Sequence, residues 1–214
     1  MPTFQTPEPI AITVDVLSGG VTVIASDRAD TVVEVRPADV SKKDSVRAAE
    51  QTRIDFVAGT LTVKTPRDWR SYTPFAGDPS IEVTIEVPTG SRLKATTSLG
   101  RLLGAGELGE CDLEISAGDI TVERPLGSVT AKTVKGNIRI GEASRGELRL
   151  ETSMGELEVG IRAGTAARVE TNTQYGTVQN LIQPVDRPQG NEDTVHVYAH
   201  NSYGNIIIRH ATTA

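Results

Sequence analysis

A glycine returns on schedule along this chain, each time between two runs in which apolar and polar residues alternate, and this limits the fold more than any other feature. The anchors are Gly19, Gly59, Gly100, Gly118, Gly136, Gly155, Gly176 and Gly204. Two places after each stands an aliphatic residue: Val21, Leu61, Leu102, Ile120, Ile138, Leu157, Val178 and Ile206. Four places after stand Val23, Val63, Val122, Ile140, Val159 and Ile208, with Gly104 and Asn180 as the departures. The register extends upstream. Five places before the glycine are Val14, Ile54, Ala95, Leu113, Ala131, Leu150, Thr171 and Ala199, and seven before are Ile12, Thr52, Leu93, Cys111, Val129, Leu148, Val169 and Val197. A period of two marks a strand with one buried face.

From Gly100 onward the anchors are 18, 18, 19, 21 and 28 residues apart. The two earlier steps, of 40 and 41, each contain an added alternating run, at residues 31–37 and 80–88. The last step is stretched by the Pro-rich, charged run 184–193. The expectation is an all-β chain of glycine-anchored repeats of about 18–20 residues, each one turn of a parallel β-solenoid or β-roll. An antiparallel β-meander or sandwich, with one hairpin per unit, is the alternative. The residues before the glycines are Ser18, Ala58, Leu99, Ala117, Lys135, Met154, Tyr175 and Tyr203, none of them the Asn or Asp that two-residue hairpins favour. The near-constant period also suits parallel stacking. The chain reads as a single β-repeat domain over 1–214, with N-terminal strands and a capping loop over 1–90 and regular repeats over 91–214. At most one short helix is expected, near residues 40–52, where Ser41 and Asp44 resemble a capping box.

Composition narrows the partners. The net charge is -6, and no cluster of Lys and Arg forms a basic stripe. Nucleic acid is therefore not expected as a partner, since neutralising phosphates needs concentrated cations. No apolar run approaches the ~20 residues of a membrane helix, so no membrane insertion is expected. The start lacks a basic region followed by an apolar core, so no signal peptide is visible. The expected location is the cytoplasm, or the cell surface if an N-terminal leader has been removed.

Motifs that could carry chemistry are few. Gly100, Gly104 and Gly106 and the Gly19-Gly20 pair lack the Gly-Lys-Ser/Thr and following helix of a phosphate loop. They read as turns, and Gly136→Val is expected to cost stability, not ligand. His196 and His200 lie four apart on a strand, ~13 Å by strand rise, too far to share one metal ion. With Val195, Val197 and Ala199 inward, His196, Tyr198 and His200 point out, toward solvent or a partner. Glu114, Glu123, Glu151, Glu156 and Glu158 read as a solvated face and Cys111 as a buried small hydrophobe. No catalytic residue, metal site or cofactor is assigned. The loop 68–75 holds Trp69, Arg70, Tyr72 and Phe75, three aromatics and an arginine within a few residues. It suits a recognition site for a protein or glycan, or a cap over the open end of a solenoid.

The units "LRLETSMGELEVG" and "VHVYAHNSYGNIIIR" resemble the bacterial β-strand-repeat "putative adhesin" family, a domain of unknown function. The stretches "DRADTVVEVRP", "AAEQTRIDFVAGTLTVKTP", "WRSYTPF" and "NEDTVHVYAHNSYGNIIIRH" resemble its actinobacterial members. The resemblance runs along essentially the whole chain. It implies a right-handed β-solenoid, no established catalytic residues and a binding role. The resulting expectation is a non-enzymatic binding or scaffolding module for an unknown protein or glycan. Two alternatives remain: a polysaccharide-active β-helix enzyme, and a structural protein that self-assembles through terminal coils, with Val195 to Arg209 as the C-terminal coil.

Overall fold

The alternating runs become strands, and most of those strands stack side by side with their glycines aligned. This is a computed structural model, and it describes residues 1–66, 79–182 and 194–211. In chain order the elements are β1 (Thr3–Gln5), β2 (Ala11–Ser26), β3 (Asp30–Pro37), helix α1 (Lys43–Gln51), β4 (Arg53–Val57), β5 (Thr60–Lys64), β6 (Ile81–Pro88), β7 (Arg92–Leu108), β8 (Cys111–Pro125), β9 (Val129–Lys135), β10 (Ile138–Ala143), β11 (Gly146–Met154), β12 (Leu157–Ile161), β13 (Ala166–Tyr175), β14 (Val178–Asn180), β15 (Thr194–Tyr203) and β16 (Ile206–His210). Among the described residues the strands form one mixed sheet.

The sheet forks at the glycines. The upstream halves pair in the order β4, β5, β2, β7, β8, β9, β11, β15, β13. The downstream halves run β1, β3, β6, β2, β7, β8, β10, β12, β16, β14. All pairs from β2 to β16 are parallel except β3 with β6 and β4 with β5, and β1 with β3 is also antiparallel. We call one upstream strand with its downstream continuation a rung. The register aligns the apolar columns of the sequence: Leu93, Cys111, Val129, Leu148, Val197 and Val169 lie side by side, as do Leu102, Ile120, Ile138, Leu157, Ile206 and Val178. Except at β13 and β14, these columns are buried in one apolar cluster of Val, Ile, Leu and Ala with Cys111.

The glycines form a column of their own. Gly136 has φ +147°, and a Cβ there would fall 2.0 Å from the carbonyl oxygen of Gly118. A Cβ on Gly155 would fall 1.9 Å from the oxygen of Gly136. Glycine is therefore demanded twice, by conformation and by the closeness of the neighbouring rung. Three places upstream, buried polar side chains answer the glycine carbonyls. Thr133 Oγ1 donates to Gly118 O (3.3 Å), Thr152 Oγ1 to Gly136 O (3.1 Å), and Asn201 Nδ2 to Gly155 O (3.1 Å). Such bonds make a polar atom tolerable inside an apolar layer.

Three expectations are corrected. Gly59 is not a member of the column: Ala58 (φ +48°) and Gly59 (φ +74°) turn the antiparallel hairpin β4–β5. Two successive positive φ values are the geometry of a type I′ hairpin, which alanine can enter at some cost. Leu61 consequently lies beside Ile12, in an upstream column, rather than beside Val21. Ser41 does not cap the helix. Its hydroxyl and N–H donate to Asp39 Oδ1 at 2.6 and 2.9 Å, and Lys42 stands at the N-cap without a side-chain bond. A carboxylate two residues away closes a tighter local turn than the helix offers.

Val195 to Arg209 is not the terminal rung. The unit β15–β16 is inserted between β11–β12 and β13–β14. The reason is burial. The inward residues of β15–β16 are Val195, Val197, Ala199, Ile206 and Ile208, all buried. In β13–β14 the corresponding column positions carry Ala167, Val169, Thr171, Val178 and Asn180, none of them buried. An inner rung is covered on both sides and a terminal one on only one, so the more polar unit takes the end. At the opposite end the antiparallel strands and helix α1 close the stack. There Phe4 of β1 and Phe56 of β4 meet across the two branches, ring centroids 5.1 Å apart.

Candidate binding face

The insertion of β15 also builds the most differentiated surface of the described residues. Strand alternation sends Val195, Val197 and Ala199 inward and leaves His196, Tyr198 and His200 half-buried on the outer side. Parallel register then sets Glu147, Arg149 and Glu151 of β11 on one flank and Arg168, Glu170 and Asn172 of β13 on the other. Thr130 and Lys132 of β9 extend the rows beyond β11. One row reads Thr130, Arg149, Tyr198, Glu170, and the next Lys132, Glu151, His200, Asn172. These side chains line a shallow groove of about 570 Å³.

Charges within it are paired. The Arg149 guanidinium carbon lies 5.2 Å from the centre of the Tyr198 ring, within cation–π range. Its Nε also donates to Glu147, which raises the guanidinium pKa and keeps the group charged. Lys132 Nζ is 3.3 Å from Glu151, and Arg168 is 3.1 Å from Glu170. Glu114 sits beside Lys132 on the same row, and on the downstream branch Glu158 lies between Arg139 (3.5 Å) and Arg209 (2.6 Å). The acids thus alternate with cations instead of facing one another. A second shallow depression, about 510 Å³, lies further along the outer side of the upstream branch and shares Thr130; the exposed pair Lys94–Asp112 (2.8 Å) borders it.

A second exposed feature runs along the glycine corner. Tyr175 and Tyr203, each just before its glycine, stack with centroids 4.9 Å apart and planes 8° from parallel. Met154 follows in the same row. Tyr175, Tyr203 and Met154 are 64%, 52% and 52% exposed, so this apolar stripe faces solvent. In the sequence these residues served only as evidence against hairpin turns. Their regular place before the glycine was the available signal.

Cys111 is buried, and burial pushes its thiol up to about 12, so at neutral pH it is protonated and unreactive. Among the described residues no group of three or more His, Cys, Asp and Glu is placed to hold a metal ion. No helix among them is long and apolar enough to cross a membrane. The loop residues Trp69, Arg70, Tyr72 and Phe75 lie outside the described residues.

No family model and no curated protein matches the chain. Solved structures do. A protein named as a putative cell adhesion protein from Clostridium sporogenes superposes with a TM-score of 0.58 over 98% of each chain, at 11% identity. Putative adhesins from Bacteroides fragilis (TM-score 0.46, 11% identity, 97% of this chain and 95% of the other) and Parabacteroides merdae (0.32, 12%, 97% and 94%) are more distant. The first of these shows that the fold of this chain occurs over nearly the whole length of a protein from Clostridium sporogenes.

Proposed function

We propose that this chain is a non-enzymatic, adhesin-like binding module whose partner, a protein or a glycan, docks on the outer face of β9, β11, β15 and β13. The observation that carries the reading is the Arg149 guanidinium over the Tyr198 ring in a shallow groove lined by hydrogen-bonding side chains. Half-buried aromatics beside arginine are the residues that supply most binding energy at recognition surfaces. The groove is open along a sheet face, which suits an extended or flat partner better than an enclosed small molecule. The name of the Clostridium protein that shares the fold supports a role in adhesion, and with it a cell-surface location. The architecture behind the reading is a right-handed β-solenoid spanning 1–214 as one domain, in keeping with the strong preference for right-handed parallel crossovers. The "putative adhesin" family resemblance belongs to the same reading. Trp69, Arg70, Tyr72 and Phe75 form a second candidate contact.

The test is a glycan array and an affinity capture with wild type, Tyr198→Ala and Trp69→Ala, each shown to be folded by circular dichroism. Loss of binding by about tenfold or more in Tyr198→Ala, the size expected of a hot-spot aromatic, supports the groove. Loss only in Trp69→Ala moves the site to the loop. Unchanged binding by both variants removes both surfaces from the model.

A further inference from the structure

The two ends of the stack differ. At one end β1, β3 and β4 run antiparallel to their neighbours, β1 and β4 are three and five residues long, and the Phe4–Phe56 contact joins the branches. At the other end β13 is ten residues long and pairs only with β15, so among the described residues its outer edge has no strand partner. Ala167, Val169 and Thr171 on its inward side are half-buried, whereas their counterparts Val195, Val197 and Ala199 on β15 are buried. An unpaired edge of this length is a template for another strand.

We propose that β13 pairs with β13 of a second copy of this chain, antiparallel about a two-fold axis through Val169. Two identical edges related by a two-fold axis across the sheet must run antiparallel, and the contact is then self-complementary. To keep inward side chains on one face, each residue must oppose one of the same parity. Among such registers, centring on Arg168 or on Glu170 sets like charges opposite one another. Centring on Val169 sets Arg168 opposite the partner's Glu170 and Glu170 opposite the partner's Arg168, with Val169 against its own copy and Ala167 against Thr171. Opposite charges directly across a pair stabilise it and like charges oppose it. Because the other end is closed by different elements, the pairing stops at two copies. It also joins the outer faces of the two chains edge to edge, placing one Tyr198 groove on each side of the seam. The inference does not depend on what that groove binds.

The test is the mass of the full chain in solution by light scattering from dilute to about millimolar protein, against 22.8 kDa for one chain. The expected species is a dimer that Arg168→Glu converts to monomer, because it sets two acids opposite one another twice. The double variant Arg168→Glu, Glu170→Arg restores the opposite-sign pairing and is expected to restore the dimer. Val169→Cys is expected to give a disulfide-linked dimer on oxidation, since directly opposed residues lie ~4.5–5.5 Å apart between Cα atoms, within disulfide reach. A wild type that stays monomeric, a dimer indifferent to Arg168→Glu, a double variant that stays monomeric, or assembly beyond two copies would each overturn the proposal. Circular dichroism of each variant separates loss of pairing from loss of fold.

Discussion

Gly59 and Gly136 are both followed by a polar residue, an aliphatic one, a polar one and another aliphatic one, yet they sit in different physical settings. Gly136 lies in the parallel stack, where the carbonyl of the next rung fills the space that a Cβ would need. Gly59 lies in the hairpin at the capped end, with nothing within 4 Å of an added Cβ. In the stack the neighbours dictate the residue, and in the hairpin only the residue's own backbone angle does. The comparison separates two meanings of one sequence signal: a contact repeated between distant segments, and a local turn.

The largest expected effect is at Gly136. Gly136→Ala forces a backbone collision with Gly118 and should lower unfolding free energy by about 4 kcal/mol or more, with Gly136→Val worse still. Urea unfolding reads this directly, and a wild-type melting temperature in Gly136→Val would break the assignment of the column. Next is Thr152→Val, which keeps the shape but removes the donor to Gly136 O. A buried carbonyl left short of its partner costs about 1–3 kcal/mol, so the loss should fall near 2. Gly59→Ala should be milder, about 1 kcal/mol, the cost of a left-handed alanine with free space around it. If Gly59→Ala proved as damaging as Gly136→Ala, the distinction between stack and hairpin would fail.

The smallest effect at neutral pH concerns Cys111, another member of the stack. Its folded pKa of about 12 stands above the ordinary 9.0 because burial disfavours the thiolate. The unfolded chain therefore releases this proton first. The associated stability is intact below about pH 9 and is lost as the pH climbs toward 12. Stability curves of wild type and Cys111→Ala should converge over that window, while iodoacetamide leaves the native thiol unlabelled at pH 7.5. Rapid native labelling would show that the column at Cys111 is not packed as described.

Much of the fold was legible in the residues. The columns headed by Ile12 and Val21 follow from period-two alternation, because a strand with one buried face must place aliphatics at every second position. The outward set His196, Tyr198 and His200 followed from the same rule. The neighbours of that set did not. Glu147 and Arg149 lie about 50 residues upstream of His196 and Tyr198, and nothing local ties those segments together. Thr133 and Thr152, three places before their glycines, break the apolar alternation and acquire meaning only once a glycine carbonyl is found opposite them.

Sequence alone determined that the chain is a glycine-punctuated array of strands, since alternation and turn conformation are set within a few residues. Tertiary structure decided which strand neighbours which. It turned Gly59 into a hairpin, where the pattern predicted a corner. It also placed β15–β16 inside and β13–β14 at the end. The physical reason is that rungs of one shape can stack in more than one order, and the order is chosen by burial summed over the whole stack. The last-written rung, with Val195, Val197, Ile206 and Ile208, gains more from two neighbours than the rung carrying Thr171 and Asn180. That choice made β13 an edge and brought Tyr198 beside Arg149.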